Sequence, residues 1–228
     1  MTISADPSNP ATIVLVDLDG TITDSFPGIV NSFRHALAQV GAPAADAGVE
    51  AGIAGPPLLD TLLGLGLDPA TADAAMSAYR RRYTEVGWLE NSVFDGMADL
   101  LGDLSRRGRT LAIATSKNER TARAIAEHFG VAGHFAVIAG ASDDGSRRSK
   151  ADVIARALAE LGIATSTDTR HPDRPVVMIG DRSHDVEGAL SFGIPTILVG
   201  WGYAQPGEGD GARWRVDSVS DLREVLGV

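Results

Sequence analysis

Residues 11–21 read Ala-Thr-Ile-Val-Leu-Val-Asp-Leu-Asp-Gly-Thr, a short β-branched apolar run that stops abruptly on acids and a glycine. A run of that length and composition reads as a buried strand. The pattern returns in RTLAIATS (109–116), HFAVIAGAS (134–142), RPVVMIGD (174–181) and IPTILVG (194–200). Helical periodicity fills the intervals, over about 95–107, 118–130, 149–162 and 184–192, with a last helix near 219–226. This alternation predicts an α/β fold, a Rossmann-like parallel sheet with helices on both faces. Right-handed crossovers bring the C-terminal ends of all the strands to one edge, where such sheets bind ligands.

Asp17 to Thr115 is far more chain than one crossover needs. Residues 24–92 read as helices, near 27–40, 56–64 and 70–86, with little β pattern. They are expected to form a small all-helical domain inserted after the first strand, leaving 11–23 and 93–228 as the core. Residues 1–10, polar with two prolines, read as a flexible leader.

The chemistry gathers where strands end. Residues two apart in an extended segment project to the same side, so Asp17 and Asp19 place two carboxylates at the ligand edge. Gly20 lets the chain turn away. The fourth strand ends in Gly180-Asp181-Arg182-Ser183-His184-Asp185. If it lies beside the first, up to four carboxylates converge, a cluster that a divalent cation would relieve. Hard oxygen ligands specify magnesium rather than zinc or copper. Asp185 can serve either as a ligand or as the cap of the next helix. Thr115, Ser116 and Lys117 stand before a helix, where hydroxyls and N–H groups suit either a phosphate or simple capping. Lys150 opens another helix, a position the helix dipole makes unfavourable for a cation unless an anion lies near.

Composition narrows the classes. Hydrophobic residues are 44% and charged residues 22%, as in ordinary globular proteins, and the formal net charge is -10 with no basic tract. That argues against binding a nucleic-acid polymer. Without cysteine, disulfides, thiolate zinc sites and a cysteine nucleophile are excluded. No signal peptide or apolar span is visible, so no membrane role and a cytoplasmic location are expected. Arginines number 18 but lysines only two, Lys117 and Lys150, and both fall beside the acids.

The ordered set DLDGT, Thr115 after an apolar strand, Lys150 and GDRSHD resembles the four motifs of the haloacid dehalogenase-like superfamily, over residues 11–228. The helical insert resembles that superfamily's type-1 cap. The stretches GIAGPPLLDTL, TSKNERTA, GSRRSKADVIARAL and VGWGYA are similar to its phosphoglycolate-phosphatase and nucleotidase-like branch. The text is especially similar to a mycobacterial member described as a protein tyrosine kinase, although GxxxxGK[ST], HRD and DFG elements are absent. The resemblance implies a small phosphorylated substrate and Mg2+ as cofactor. It implies Asp17 as nucleophile, Asp19 as general acid and base, and Thr115 and Lys150 on the phosphoryl oxygens. The metal would be held by the side chains of Asp17 and Asp181 and the carbonyl of Asp19, with Asp185 in support. Gly20, Ser116, Lys117, Gly55 and Pro56 are carried as substrate-binding candidates. For residues 52–57 a plain interhelical turn is the competing reading, for Arg80, Arg81 and Arg82 a solvated helix face, and for Trp201 and Tyr203 core packing. An acid at position 19 disfavours dehalogenation, and the lysine-free insert disfavours phosphonate cleavage. Three activities stay open: a phosphatase, phosphotransfer to a sugar or to tyrosine (the last requiring a protein partner), and a silent binding module.

Overall fold

The structure is a computed structural model that describes residues 5–54, 58–166, 171–205 and 207–228. The chain divides into two compact units, one running through Thr23 and then Val93–Val228, the other Asp24–Ser92.

In the first unit the described residues form a six-stranded sheet in the order β5-β4-β1-β6-β7-β8. Its strands are β1 (Ile13–Val16), β4 (Leu111–Asn118), β5 (Val137–Ala141), β6 (Val176–Gly180), β7 (Thr196–Val199) and β8 (Trp214–Val216). Every pairing is parallel. β1 is central, with Val16 opposite Ile113 of β4 and Ile179 of β6. The fourth apolar run therefore does lie beside the first, and both acid-bearing ends meet. Alternate side chains serve opposite faces of the sheet. Ile13 and Leu15 join Ala112, Ala139, Val176 and Met178 in a core completed by Val153, Ile154, Ala157 and Leu158 of α7 (Lys150–Glu160). Val14, Val16 and Ile113, facing the other way, are as deeply buried. Fully burying each such aliphatic side chain stabilises the fold by about 1.5–3 kcal/mol. The remaining helices here are α5 (Met97–Arg106), α6 (Glu119–His128), α8 (Ser183–Leu190) and α9 (Val219–Leu226).

The second unit contains α1 (Phe26–Gln39), α2 (Ala47–Gly52), α3 (Leu58–Gly64) and α4 (Pro69–Glu85). Phe33, Leu37, Ile53, Leu62 and Ala75 form its core. Asp46 and Asp68 cap α2 and α4 through their carboxylates. The short strands β2 (Thr23–Asp24) and β3 (Ser92–Val93) form a separate two-stranded sheet. Among the described residues no helix is long and apolar enough to cross a membrane.

Three expectations need correction. The stretch 5–10 is not loose. Ala5 is buried, and the buried Arg109 guanidinium donates to the carbonyls of Pro7, Thr12 (3.0 Å) and Leu226 (3.1 Å). Satisfying so large a buried cation requires those carbonyls, which holds the leader down. α6 begins at Glu119, and its cap is Asn118, whose side chain accepts from Thr121 N, so Thr115 and Ser116 still belong to β4. Arg80 and Arg81 are exposed, but Arg82 is half-buried and donates to Glu90 (2.8 and 2.9 Å) and to the Ser32 hydroxyl (3.0 Å).

Candidate active site

The ends of β1, β4 and β6 set the positions of the acids. Asp17 follows β1 directly, and its N–H donates to Ile179 O of β6 at 2.9 Å, which ties the two strand ends together. Asp181 follows β6, and Asp185 is the third residue of α8. Their carboxylates, with that of Asp17, are buried and offer oxygens within 4.8 Å of one another.

Lys150 reaches this trio from the first position of α7. Its Nζ lies 2.8 Å from Asp17 Oδ1 and 2.7 Å from Asp185 Oδ1, and it donates to Ala114 O at 3.0 Å. Burial works against the ammonium, but the charges of Asp17 and Asp185 outweigh it and hold the lysine above its ordinary pKa. The anions thus compensate for a cation at a helix N-terminus. Asp185 is not the cap of α8, a position taken by Arg182, but it reaches back to that residue. Its Oδ2 accepts from Arg182 N at 3.0 Å at the start of α8, while its Oδ1 faces Lys150.

Asp181 is the most perturbed acid. Burial, and then the charges of Asp185 and Asp17, push it up to about 8. Its Oδ2 accepts from Tyr203 N at 2.7 Å, and Thr21 Oγ1 donates to its Oδ1 at 3.3 Å. Gly20 has φ +80, and a Cβ there would stand 2.2 Å from Asp181 Oδ2. Gly20 therefore both makes the turn and leaves room for that carboxylate.

Asp19 stands apart from the trio. Its Oδ2 pairs with Lys117 Nζ at 2.9 Å, while its Oδ1 is buried with no hydrogen-bond partner among the described residues. Three carboxylates converge rather than four, because the chain has turned toward β4 by Asp19. Thr115 is buried beside Ala114, with its Oγ1 accepting from Lys117 N at 3.2 Å, and Ser116 is exposed. Gly55 and Pro56 lie outside the described residues. Trp201 donates through Nε1 to Thr21 O at 3.2 Å and meets Phe94 edge-on.

The fit to a hard divalent cation can be tested on this donor set. Three buried carboxylates stand beside one lysine, which pairs with Asp17 and Asp185, and among the described residues Asp17 Oδ1 and Asp185 Oδ1 receive no directed hydrogen bond. The upward shift of Asp181 has the same cause, negative charge crowded into a buried site. An oxygen-ligated cation such as Mg2+ fits these residues.

Sequence reading offered Tyr203 only as a side chain at the cleft entrance or in the core, and did not find its N–H, Gly202 or Glu208 around the acids. Their only signal was the glycine-rich text after β7, whose partners are remote in sequence.

A family model described as haloacid dehalogenase-like hydrolase matches residues 14–199. The tyrosine-protein kinase PtkA of Mycobacterium tuberculosis is 49% identical over 99% of this chain and 76% of its own. A 5'-nucleotidase of Pseudomonas aeruginosa is 41% identical over 86% of this chain and 85% of its own. The crystal structure of a predicted phosphatase from Clostridium acetobutylicum superposes with a TM-score of 0.83 at 36% identity, covering 96% of this chain and 99% of that one.

Proposed function

Because this chain belongs to the haloacid dehalogenase-like hydrolase family, we propose that it is a magnesium-dependent phosphatase acting on a small phosphate monoester through an aspartyl-phosphate on Asp17. The observation that carries this reading is the convergence of Asp17, Asp181 and Asp185 at adjacent strand ends, with Lys150 Nζ 2.8 Å from Asp17.

Phosphate monoesters hydrolyse extremely slowly without a catalyst, and a covalent intermediate divides the work into two displacements. Asp17 attacks phosphorus, and Asp19 supplies the proton to the departing alkoxide. Asp19 then takes a proton from the water that cleaves the acyl phosphate. Lys150 and Thr115 bind the transferring phosphoryl oxygens. Lys117, paired with Asp19, keeps that carboxylate turned away from the acidic trio. Mg2+, held by Asp17, Asp181 and the carbonyl of Asp19 with Asp185 in support, would supply the charge that lets an anionic nucleophile approach an anionic phosphoryl group. Residues 24–92 would act as the cap that selects the substrate.

The test is turnover of a panel of sugar, nucleoside and short-chain acid phosphates with Mg2+. Activity should vanish after exhaustive chelation and return with Mg2+. Calcium should inhibit, because its longer bonds and higher coordination loosen in-line geometry. Full activity in chelator would overturn the metal assignment. Lys117→Met should lower turnover by about tenfold to a hundredfold, as expected when the partner of a general acid is removed.

The similarity to PtkA favours a second reading, transfer of phosphate to a tyrosine of a protein partner. Incubation with γ-labelled ATP and a tyrosine-bearing acceptor separates the two. Label reaching tyrosine faster than water would favour transfer over hydrolysis.

A further inference from the structure

The carboxylate of Asp181 is enclosed on two sides. Gly20 closes one, and the segment after β7 closes the other. A Cβ on Gly202 would stand 2.4 Å from Asp181 Cβ and Oδ2 and 2.4 Å from Gly20 O, so only glycine fits there unless something moves. Tyr203 N donates to Asp181 Oδ2 at 2.7 Å, the shortest contact this acid makes among its hydrogen bonds to described residues. The geometry of Asp181 therefore depends on where residues 202 and 203 sit.

A few residues on, Glu208 returns to the same place. Its carboxylate receives both arms of the Arg182 guanidinium, Nε at 2.7 Å and Nη2 at 2.8 Å. Ser183 N also donates to it, at 3.3 Å. Arg182 is buried and neighbours Asp181 in the chain, and its own N–H holds Asp185 Oδ2. A bidentate guanidinium–carboxylate pair fixes orientation as well as distance. Glu208 is thus fastened to the backbone that presents both acids; its N–H donates to Gln205 O at 3.0 Å, and Gln205 Nε2 donates to Tyr203 O at 3.3 Å, which ties it to the residues packed on Asp181.

We propose that Glu208, clamped by Arg182, is a positioning residue for the metal site, holding Gly202 and Tyr203 N–H against Asp181. This rests on the metal reading of the acidic trio. Groups that orient ligands from outside the coordination sphere change metal affinity by roughly tenfold to a hundredfold when removed.

The measurement is Mn2+ binding to the purified protein, read from the paramagnetic resonance signal of free Mn2+, which needs no turnover. Glu208→Gln should weaken Mn2+ binding at least about tenfold. Gly202→Ala should weaken it at least as much, from the other end of the segment. Freeing the Arg182 charge could by itself repel a cation, so the pair Arg182→Met with Glu208→Gln restores the original charge balance. Binding should stay weak in that double variant, and recovery to the wild-type level would overturn positioning in favour of simple charge. Asp103→Asn removes the carboxylate that pairs with Arg106 and Arg223 away from the site. It should leave Mn2+ binding unchanged even where thermal stability drops. Wild-type affinity in Glu208→Gln would overturn the proposal while the metal reading stood, whatever Gly202→Ala does, since a methyl there presses on Asp181 directly. Failure of the wild type to bind Mn2+ would remove the metal reading and this proposal with it.

Discussion

Asp17→Asn should fold normally and lose turnover by roughly four to six orders of magnitude, the size of effect seen when a covalent nucleophile is removed. The amide is nearly isosteric, so packing at the end of β1 is preserved. It cannot donate an electron pair to phosphorus as the carboxylate does, and it offers a cation a weaker ligand. The side chain is buried and lies 2.8 Å from Lys150, so the substitution also removes one of the lysine's two anions. Turnover of an aryl phosphate, with circular dichroism to check folding, gives the result. A second readout is the mass of the acid-quenched protein after exposure to substrate. The wild type should carry one added phosphoryl group and the variant none. Retention of more than about a tenth of the activity would take Asp17 out of the reaction, since a loss that small is about 1.4 kcal/mol of barrier.

Lys150→Arg is expected to cost about a hundredfold or more in turnover, comparable with the loss of one preorganised charge-stabilising group. The substitution keeps the charge, so the expectation is about shape. The ammonium lies within 3.0 Å of Asp17 Oδ1, Asp185 Oδ1 and Ala114 O from a single point. Its stem is confined as well, since a Cβ on Gly188 would stand 2.7 Å from Lys150 Cγ. A planar guanidinium needs more width and cannot place one nitrogen between three oxygens without displacing an acid. Near-normal turnover in Lys150→Arg would mean that the lysine does not contact the phosphoryl group. Arg147 could not readily take its place, because its guanidinium is held by Glu119 and Gly140 O.

The parallel sheet was legible because its strands are short β-branched runs with both faces buried, a pattern carried by every residue in them. Placing the fourth run beside the first needed only the order of strands in such sheets. The short elements were not legible. α2 buries none of its residues, so AGVEAG has no apolar stripe, and β8 is a three-residue edge strand. At the site, the bond from Lys150 to Asp17 was within reach of sequence reading, because a lysine at a helix start calls for an anion. The pairing of Lys117 with Asp19 was not, since it depends on how far β4 runs before α6 begins. Asn118 displaces Thr115 and Ser116 as the cap for the same reason. The clamp between Arg182 and Glu208 joins positions 26 apart across text with no periodicity, and only coordinates reveal it.

The hold of Arg109 on Pro7, Thr12 and Leu226 brings the two ends of the described chain together. A Cβ on Gly227 would lie 3.3 Å from Ser8 Cβ. A linker of a few residues could therefore join them, and circular permutants become an accessible form of the protein. The sheet-bearing unit is interrupted in sequence by residues 24–92. Opening the chain inside that interruption while closing it between 227 and 8 would run 93–228 straight into 8–23. The enzyme core would then be translated as one uninterrupted stretch, with the helical unit's two pieces as its tails. Cotranslational folding of the sheet, which in the native order must wait for β1 to be rejoined by strands about a hundred residues later, would begin with its other strands already made.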